Sequence, residues 1–522
     1  MAVLALQSDM PRDDGERDAE GEPLSLLERM LQEVRPEVAR ESRQGAPPPS
    51  ILQARSRDDL LQALFGGREA ELTVRDAARQ LDCAVAQIEA LLEAQVNAIL
   101  HHPRFQRLEA TWRGVEYVTR QAAKESEYAE ELGEDAKIIV RMFSASKKEL
   151  LDDAGSAVEF DQSVLFKVVY EAEFGTAGGT PFGLLIGDYE FRNHPDDIDL
   201  LRSFGQVAAA AFAPLVTAAS PQLFQLDDFQ RLEIGLSLEK DFQQADYAKW
   251  RTLRDREDMR FVGLTLPRIL MRLPYEPETS RERFRFRERV DGRDRRKYLW
   301  GNSAYALVGV VLRAYVESGW FADIRGFERG LETGGLVSGL PAHSFSTDRQ
   351  GIAGKTSTDM VITSTQEREL ANLGFIPLCP CPGTEHSVFF SNQSLHKPKV
   401  FADAATSTTS RMSSMLQYML CASRFAHYLK VLAREKIGSV QSAEELSTYL
   451  SRWISRYITD DPTAKNEMKA KYPLRRAEIQ IEPIPGQPGA YRMQLQLLPH
   501  YQLDELSASL HLVHRLTGGP RT

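Results

Sequence analysis

Three short stretches of the 522-residue chain hold side chains that could do chemistry. The segment Gly351-Ile-Ala-Gly354-Lys355-Thr356 has the composition of a phosphate-binding loop, Cys379-Pro-Cys381 holds two thiols, and Arg281–Lys297 holds nine basic residues against four acidic ones. The corresponding chemistry would be nucleotide binding, metal or thiol chemistry, and contact with nucleic acid. Each depends on a particular spacing or charge balance, so each can be judged from the sequence.

The glycine-rich segment lacks the spacing of a phosphate-binding loop. That motif places a glycine five residues before Gly354, where this chain has Arg349, and it follows a buried strand, which the residues before Gly351 do not resemble. Backbone N–H groups would therefore not be aimed at a phosphate. We expect no nucleotide site here. The alternative is a cytosolic α/β enzyme that uses Gly354-Lys355-Thr356 or the cysteine pair.

The cysteines do not have the spacing of a zinc site. One residue, not two, separates Cys379 from Cys381, and no second pair lies at zinc-ligand spacing. Together with Cys83 and Cys421 they are typical of reduced thiols in a cytosolic protein. We predict no catalytic residue, no cofactor-binding residue and no metal ligand in this chain.

The arginine-rich run allows two interpretations. Its arginines alternate with Phe284 and Phe286, as in a groove that stacks single-stranded nucleic acid. The same alternation is typical of a strand with an arginine face in solvent and an aromatic face in the core. Lys and Arg total 64 against 74 Asp and Glu, a net charge of −10, and this acidic balance favours the second interpretation. We expect no nucleic-acid partner.

The clearest predicted helix runs from Thr73 to Leu100, and Thr73 and Asp76 have the spacing of a capping box. Its apolar side chains recur on one seam at alternating steps of four and three, with Gln95 the only break, which suits packing against another helix. That helix can belong to this chain or to another subunit, and packing within the chain is the simpler expectation. The seam comprises Val74, Ala78, Leu81, Val85, Ile88, Leu92 and Ile99.

The C-terminal region has the clearest β pattern. Residues 476–484 and 491–497 alternate apolar and polar side chains on the two sides of a Pro/Gly loop, which predicts an antiparallel hairpin with one face in solvent. A third alternating segment, Leu506–Leu516, follows. The apolar hairpin positions are Ala477, Ile479, Ile481, Tyr491, Met493, Leu495 and Leu497.

The middle of the chain alternates strand-like and helix-like segments, which predicts a multi-domain α/β (α+β) fold. The longest apolar stretch, Val207–Ala219, is interrupted by Pro214 and is shorter than the roughly 20 residues of a membrane span, so we interpret it as a buried helix. We therefore expect no direct membrane insertion and a cytoplasmic location.

At about 150 residues per domain, the length corresponds to roughly three folding units. We divide the sequence into an acidic, disordered arm with a short helix (1–50), a helical region (51–130), an α/β region (131–330) and a C-terminal α/β region (331–522). The hairpin at 476–498 lies in the last of these. Residues 11–23 are mostly charged or glycine and cannot form a core.

A series of segments, in order from about Ile51 to Leu516, resembles the large subunit of the type VI secretion contractile sheath, the TssC/VipB family. The arm before Pro47 and the arginine-rich run lie outside the resemblance. The segments are ILHHPRFQRLEATWRGVEYV (99–118), SKKELLDD (146–153), FDQSVLFKVVYEAEFGTAGGTPFGLLIGDYEF (160–191), VAAAAFAPLVTAASPQLF (207–224), YAKWRTLRDREDMRFVGLTLPRILMRLPY (247–275), YLWGNSAYAL (298–307), GLVSGLPAHSF (335–345), ELANLGFIPL (369–378), SRFAHYLKV (423–431) and PLRRAEIQIEPIPGQPGAYRMQLQLLPHYQLDELSASLHLV (473–513).

The resemblance implies a contractile-tail-sheath-like core and a structural role without catalysis. It implies a heterodimer with the small subunit (TssB/VipA), and a helical polymer of many copies around the Hcp inner tube on a baseplate. Contraction would propel tube and spike into a target cell, and the AAA+ unfoldase ClpV would recycle the sheath through the small subunit. The hairpin would pair with the N-terminal arm of one neighbour and the small subunit of another, and the helices at 73–118 would contact the small subunit.

Overall fold

The computed structural model describes residues 2–7, 56, 59, 73–131, 138–176, 178–234, 238–277, 284–290, 294–327, 332–343, 356–381, 384–436, 443–461, 464–484, 491–500 and 510–516. Of residues 2–7 and 510–516 it describes the backbone alone. The segment Gly351–Lys355 and the predicted short helix of the arm lie outside these residues. The chain divides into two compact units, one built from residues 1–10, 111–271 and 301–522, the other from residues 11–110 and 272–300.

The helices of the described residues fall into a long N-terminal pair and a series of shorter elements. A π-helical segment, Lys167–Gly175, directly follows the helix Val164–Phe166, and short 3₁₀ turns connect several of the other helices. The helices are α1 (Val74–Leu100), α2 (Pro103–Glu131), α3 (Lys147–Ser156), α4 (Val164–Phe166), α5 (Pro195–Ala211), α6 (Leu238–Asp241), α7 (Ala248–Arg254), α8 (Ala304–Ser318), α9 (Ser364–Asn372), α10 (Ala404–Ser413), α11 (Leu416–Lys436), α12 (Ala443–Ile454) and α13 (Asn466–Lys471).

The strands of the described residues form three sheets. The strands are β1 (Ala2–Gln7), β2 (Ile139–Ser144), β3 (Phe182–Phe191), β4 (Leu215–Ala219), β5 (Val262–Leu266), β6 (Ile269–Leu270), β7 (Trp300–Gly301), β8 (Leu336–Val337), β9 (Phe375–Pro380), β10 (Ser387–Phe389), β11 (Leu474–Pro483), β12 (Tyr491–Pro499) and β13 (Leu510–Leu516). They build an eight-stranded sheet in the order β2-β1-β3-β4-β5-β9-β10-β8, a three-stranded sheet in the order β11-β12-β13 and the pair β6-β7. The largest sheet is parallel from β2 to β9 and antiparallel at β10 and β8.

Side-chain caps fix the starts of several helices. Thr73 accepts a hydrogen bond from the backbone N–H of Asp76 at 3.3 Å, which confirms it as the N-cap of α1. Ser146 and Glu149 form a full capping box at α3, where the Ser146 hydroxyl accepts from the Glu149 N–H and the Glu149 carboxylate accepts from the Ser146 N–H. Such caps satisfy N–H groups that the helix itself leaves without acceptors.

The apolar stretch Val207–Ala219 is not one helix, as the sequence pattern suggested. The helix α5 ends at Ala211, Phe212 takes a left-handed conformation with φ 50°, and residues 215–219 form the buried strand β4. Pro214 has no N–H group and disfavours a helical conformation at the residue before it, so the helix ends there. The β-branched residues Val216 and Thr217 then suit the strand.

The larger sheet is buried on both faces, which confirms the mixed α/β class. Leu184 and Ile186 pack with α8 on one face, whereas Leu185 packs with residues of α5 on the other. Neighbouring residues of a strand point to opposite faces, so a strand covered on both sides is apolar throughout. The backbone of Ala2–Gln7, which the sequence pattern assigned to the arm, lies between β2 and β3 in this sheet.

The second unit joins α1 and the start of α2 to residues 272–300. The buried side chain of Asn97 accepts from the Arg289 N–H at 2.7 Å and donates to the Glu93 carbonyl at 2.8 Å. Residues 284–290 lie in no strand, so a ladder over the arginine-rich run is not present in its described part. The alternation itself is present, because Arg285, Arg287 and Arg289 are exposed and Glu288 between them is buried.

Candidate assembly surfaces

The C-terminal hairpin predicted from alternation is present, and a third strand extends it. Ile479 of β11 lies opposite Leu495 of β12 in the antiparallel register, and Leu495 lies opposite Leu512 of β13. The third strand begins at Leu510, and the predicted residues 506–509 lie outside the described part of the chain. One side of β12 is therefore bonded to β11 and the other to β13 of the same chain.

The apolar side chains of the hairpin belong to the core of their own unit. Ile479, Met493, Leu495 and Leu497 are buried, and they form one cluster with Leu446, Leu450 and Ile454 of α12. Ala477, Ile481 and Tyr491 are partly buried and pack against the same cluster. The apolar face of this sheet is therefore already covered within its own unit, and its edges and its polar face are the surfaces left for contact with another molecule.

In the described part of the chain, no strand pairs with the outer side of β11 along residues 476–483, so β11 is an edge strand there. Its inner side is bonded to β12, and on its outer side the Ile479 carbonyl accepts the Ser447 hydroxyl at 3.2 Å. Because the two sides alternate along a strand, the backbone groups of Ala477, Ile479 and Ile481 lie on the outer edge. Outward N–H and C=O groups of an edge strand can pair with another chain, here beside an Ile479 carbonyl that already accepts from Ser447 of the same chain.

The seam on α1 is mostly exposed, so the expected packing within the chain is wrong for the described residues. The side chain of Val74 is 89% exposed and that of Val85 is 52% exposed, with Leu81 and Leu92 at 44% and 43%. Ile88 and Ile99 are half-buried. Ala84, Ala94 and Asn97, on a different side of the helix, are the buried ones. By length and apolar composition alone, α1 could cross a membrane. Helices of soluble proteins meet the same two criteria, so this is weak evidence for a membrane span.

A cluster of charges in the second unit was not predicted from the sequence. The guanidinium of Arg272 donates to Glu109 at 2.7 Å and to Glu288 at 2.5 Å, and His101 lies 3.4 Å from Glu288. Burial alone would raise the pKa of Glu288, but hydrogen bonds from His101 and Arg272 outweigh it and lower that pKa. The only sign of this cluster in the sequence is that Glu288, an acidic residue, occupies an inward position of the arginine-rich run.

The candidate catalytic thiols lie in the core. Cys379 and Cys381 are buried at the end of β9, and burial raises the pKa of Cys379 to about 12. A thiol with such a pKa stays protonated, whereas thiolates are the nucleophiles and metal ligands. In the described ranges, no cluster of three His, Cys, Asp or Glu residues could hold a metal ion.

Comparisons with known proteins agree with a sheath fold. Residues 82–396 match the family model of the EvpB/VC_A0108 tail sheath N-terminal domain, and residues 405–516 match that of the EvpB/VC_A0108 tail sheath gpW/gp25-like domain. The chain is 40% identical over 452 residues to the type VI secretion system sheath protein TssC1 of Pseudomonas aeruginosa, across 86% of this chain and 88% of that protein. The chain therefore belongs to the TssC/VipB family of type VI secretion sheath large subunits.

Proposed function

We propose that this chain is a structural subunit that pairs with the small sheath subunit (TssB/VipA) and polymerises into a helical tube in the cytoplasm. The tube surrounds the Hcp inner tube on a baseplate and contracts to propel tube and spike into a target cell. Membership of the sheath family supports the structural role. The Hcp, baseplate and ClpV contacts follow from the family resemblance alone.

The outer edge of β11 is the observation that carries the proposal. A helical tube needs an interface between two different surfaces, so that each added copy leaves a new site open. An edge strand provides such a surface, because a strand from a neighbour can extend the sheet through backbone hydrogen bonds. A neighbouring large subunit or the small subunit supplies this strand. Backbone pairing through a connector allows the rigid parts to move while the copies stay joined.

The seam on α1 is the proposed contact with the small subunit. The contact residues are Val74, Leu81, Val85, Ile88, Leu92 and Ile99. The exposure of Val74, Leu81, Val85 and Leu92 supports this assignment, since apolar stripes at heptad spacing pack against a partner helix. An amphipathic helix of the small subunit fits such a stripe.

The substitution Ala477→Pro tests the edge-strand proposal. Proline removes the N–H that Ala477 directs outward, and it is tolerated on edge strands where that N–H does not serve the strand's own ladder. We expect the large–small heterodimer to form at normal yield and the sheath to be absent. Negative-stain electron microscopy of the co-expressed pair measures this.

The matched control is Ala477→Gly, which keeps the N–H at the same position and should leave sheaths intact. A second variant, Gln480→Pro, removes an N–H directed to β12 and should damage the hairpin itself. Normal sheaths with Ala477→Pro, or loss of sheaths with both Ala477 variants, would contradict the assignment of this edge.

A further inference from the structure

The exposed seam of α1 is a heptad stripe whose spacing is the same whether it is followed from the N-terminal or from the C-terminal end. Val74, Ala78, Leu81, Val85, Ile88 and Leu92 alternate steps of four and three. From Val74 to Leu92 the stripe is about 27 Å long at about 1.5 Å per residue. Val74, Leu81, Val85 and Leu92 are exposed and Ile88 is half-buried, so most of the stripe is available to a partner.

Charges border this stripe at the same heptad position. Arg75, Asp82 and Glu89 follow one another every seven residues, and all three are exposed. None of them has an ion pair or hydrogen bond through its side chain within the described part of the chain. The basic residue lies at the N-terminal end and the acidic ones lie towards the C-terminal end, so the border is polarised.

A second copy of α1 in antiparallel orientation complements both features. The stripe has two heptad positions, and in an antiparallel pair each position packs against the other position of the second copy. The resulting contacts are Val85 with Leu81 of the second copy, Ala78 with Ile88 and Leu92 with Val74. In the same register Arg75 lies beside Glu89 of the second copy, and by symmetry the pair occurs twice. A two-fold interface of this kind uses one patch on both partners.

We propose that, before the small subunit binds, α1 pairs antiparallel with α1 of a second copy and so covers the exposed seam. This inference rests on the proposed function, because both partners use the same face of α1. Asp82 meets its own counterpart across the two-fold axis, and Ala78 contributes little apolar area. The pair is therefore weak enough for a small-subunit helix to displace it.

Cysteine cross-linking of the full chain in freshly lysed cells tests the antiparallel α1 pair. The method needs no purified protein, so it also works if the chain is poorly soluble. In a Cys83→Ser background, Asp82→Cys places a thiol next to its counterpart across the axis. Arg75→Cys in the same background is the control, since the two thiols would lie about 24 Å apart along the helices. With a short bismaleimide we expect a covalent dimer from Asp82→Cys and none from Arg75→Cys. Equal cross-linking of both would overturn the proposal.

A charge exchange tests the register without new cysteines. Arg75→Glu alone and Glu89→Arg alone each place like charges together twice, and we expect the dimer to weaken roughly ten-fold in each, as read from cross-linking yield against concentration. In the double variant, Glu at position 75 again lies beside Arg at position 89 of the second copy. These opposite charges meet only if α1 pairs with α1 of a second copy in this register. Failure of the double variant to recover the dimer would therefore refute the homotypic pair.

Co-expression with the small subunit separates this inference from the proposed function. Wild-type heterodimer formation with no Asp82→Cys dimer in the free chain would overturn the inference and leave the proposed function intact. A dimer that persists in the presence of bound small subunit would also count against it, because the two partners must exclude each other. Binding of the free chain to vesicles of phosphatidylglycerol and phosphatidylethanolamine, lost in Val85→Asp, would assign the seam to a membrane instead.

Discussion

Arg272 lies between the carboxylates of Glu109 and Glu288, and the three side chains are 7%, 13% and 1% exposed. Its guanidinium also lies 4.4 Å from the ring centre of Tyr275. Removing charges from water is costly, so such a pair contributes little net stability but is expensive to break on one side. At the residue scale, the cluster ties Arg272 and Glu288 to Glu109 near the start of α2.

The substitution Glu288→Gln leaves the Arg272 charge buried with one carboxylate instead of two. We expect it to lower the stability of the second unit by about 3 kcal/mol. Hydrogen exchange measured by mass spectrometry on the co-purified complex reports this as faster exchange of α1 and of residues 284–290. The control is Glu276→Gln, which removes the partner of Arg287 at an exposed site and should change exchange little.

The same pair of variants gives a pH dependence with a defined sign. The pKa of Glu288 is lowered in the folded state, so its contribution to stability is present above its unfolded pKa and is lost as the pH falls through the folded value. The difference in melting temperature between wild type and Glu288→Gln should shrink between pH 7 and pH 4. An equal difference at both pH values would show that the charge of Glu288 is not what stabilises this contact.

At the element scale, the sequence predicted the elements that carry a strong period and missed those decided by distant contacts. The alternation at 476–497 and the seam of α1 are local patterns, and the structure has both elements. The break at Phe212 and the strand β4 were missed, because Ala-rich sequence favours helix and the neighbouring strands β3 and β5 decide otherwise. The strand β1 was missed for the same reason, since its partners begin at Ile139 and Phe182.

The capping box of α3 allows a test of one local rule. The substitution Ser146→Ala removes the acceptor for the Glu149 N–H, and we expect a loss of about 1 kcal/mol in unfolding free energy. Hydrogen exchange of residues 147–156 in the complex co-purified with the small subunit measures it. Ser156→Ala, at the exposed C-terminal end of the same helix, is the matched control and should stay within about 0.5 kcal/mol of wild type.

At the scale of the whole molecule, sheath membership was predictable because the resemblance runs through most of the chain in order. The assembly residues were only partly predictable. Periodicity identifies which residues of 476–497 face a hydrophobic core, but it does not show whether that core belongs to the same chain or to a neighbour. The structure places Leu495 and Leu497 in the core of their own unit. Conversely, the seam of α1 was expected to be covered within the chain and is exposed.

These surfaces predict how the chain behaves without its partner. Expressed alone, it should be mostly insoluble, because an apolar stripe and an open strand edge both promote association. Co-expression with the small subunit should raise the soluble fraction several-fold, as measured by quantitative blotting of supernatant and pellet. A soluble, monodisperse monomer in the absence of the small subunit would contradict this expectation.

The position of β1 between β2 and β3 has a consequence for synthesis. Ala2–Gln7 is translated long before Ile139 and Phe182, so during that interval its backbone groups have no neighbours on either side within the sheet. The sheet closes around this strand only when most of the first half of the chain has left the ribosome.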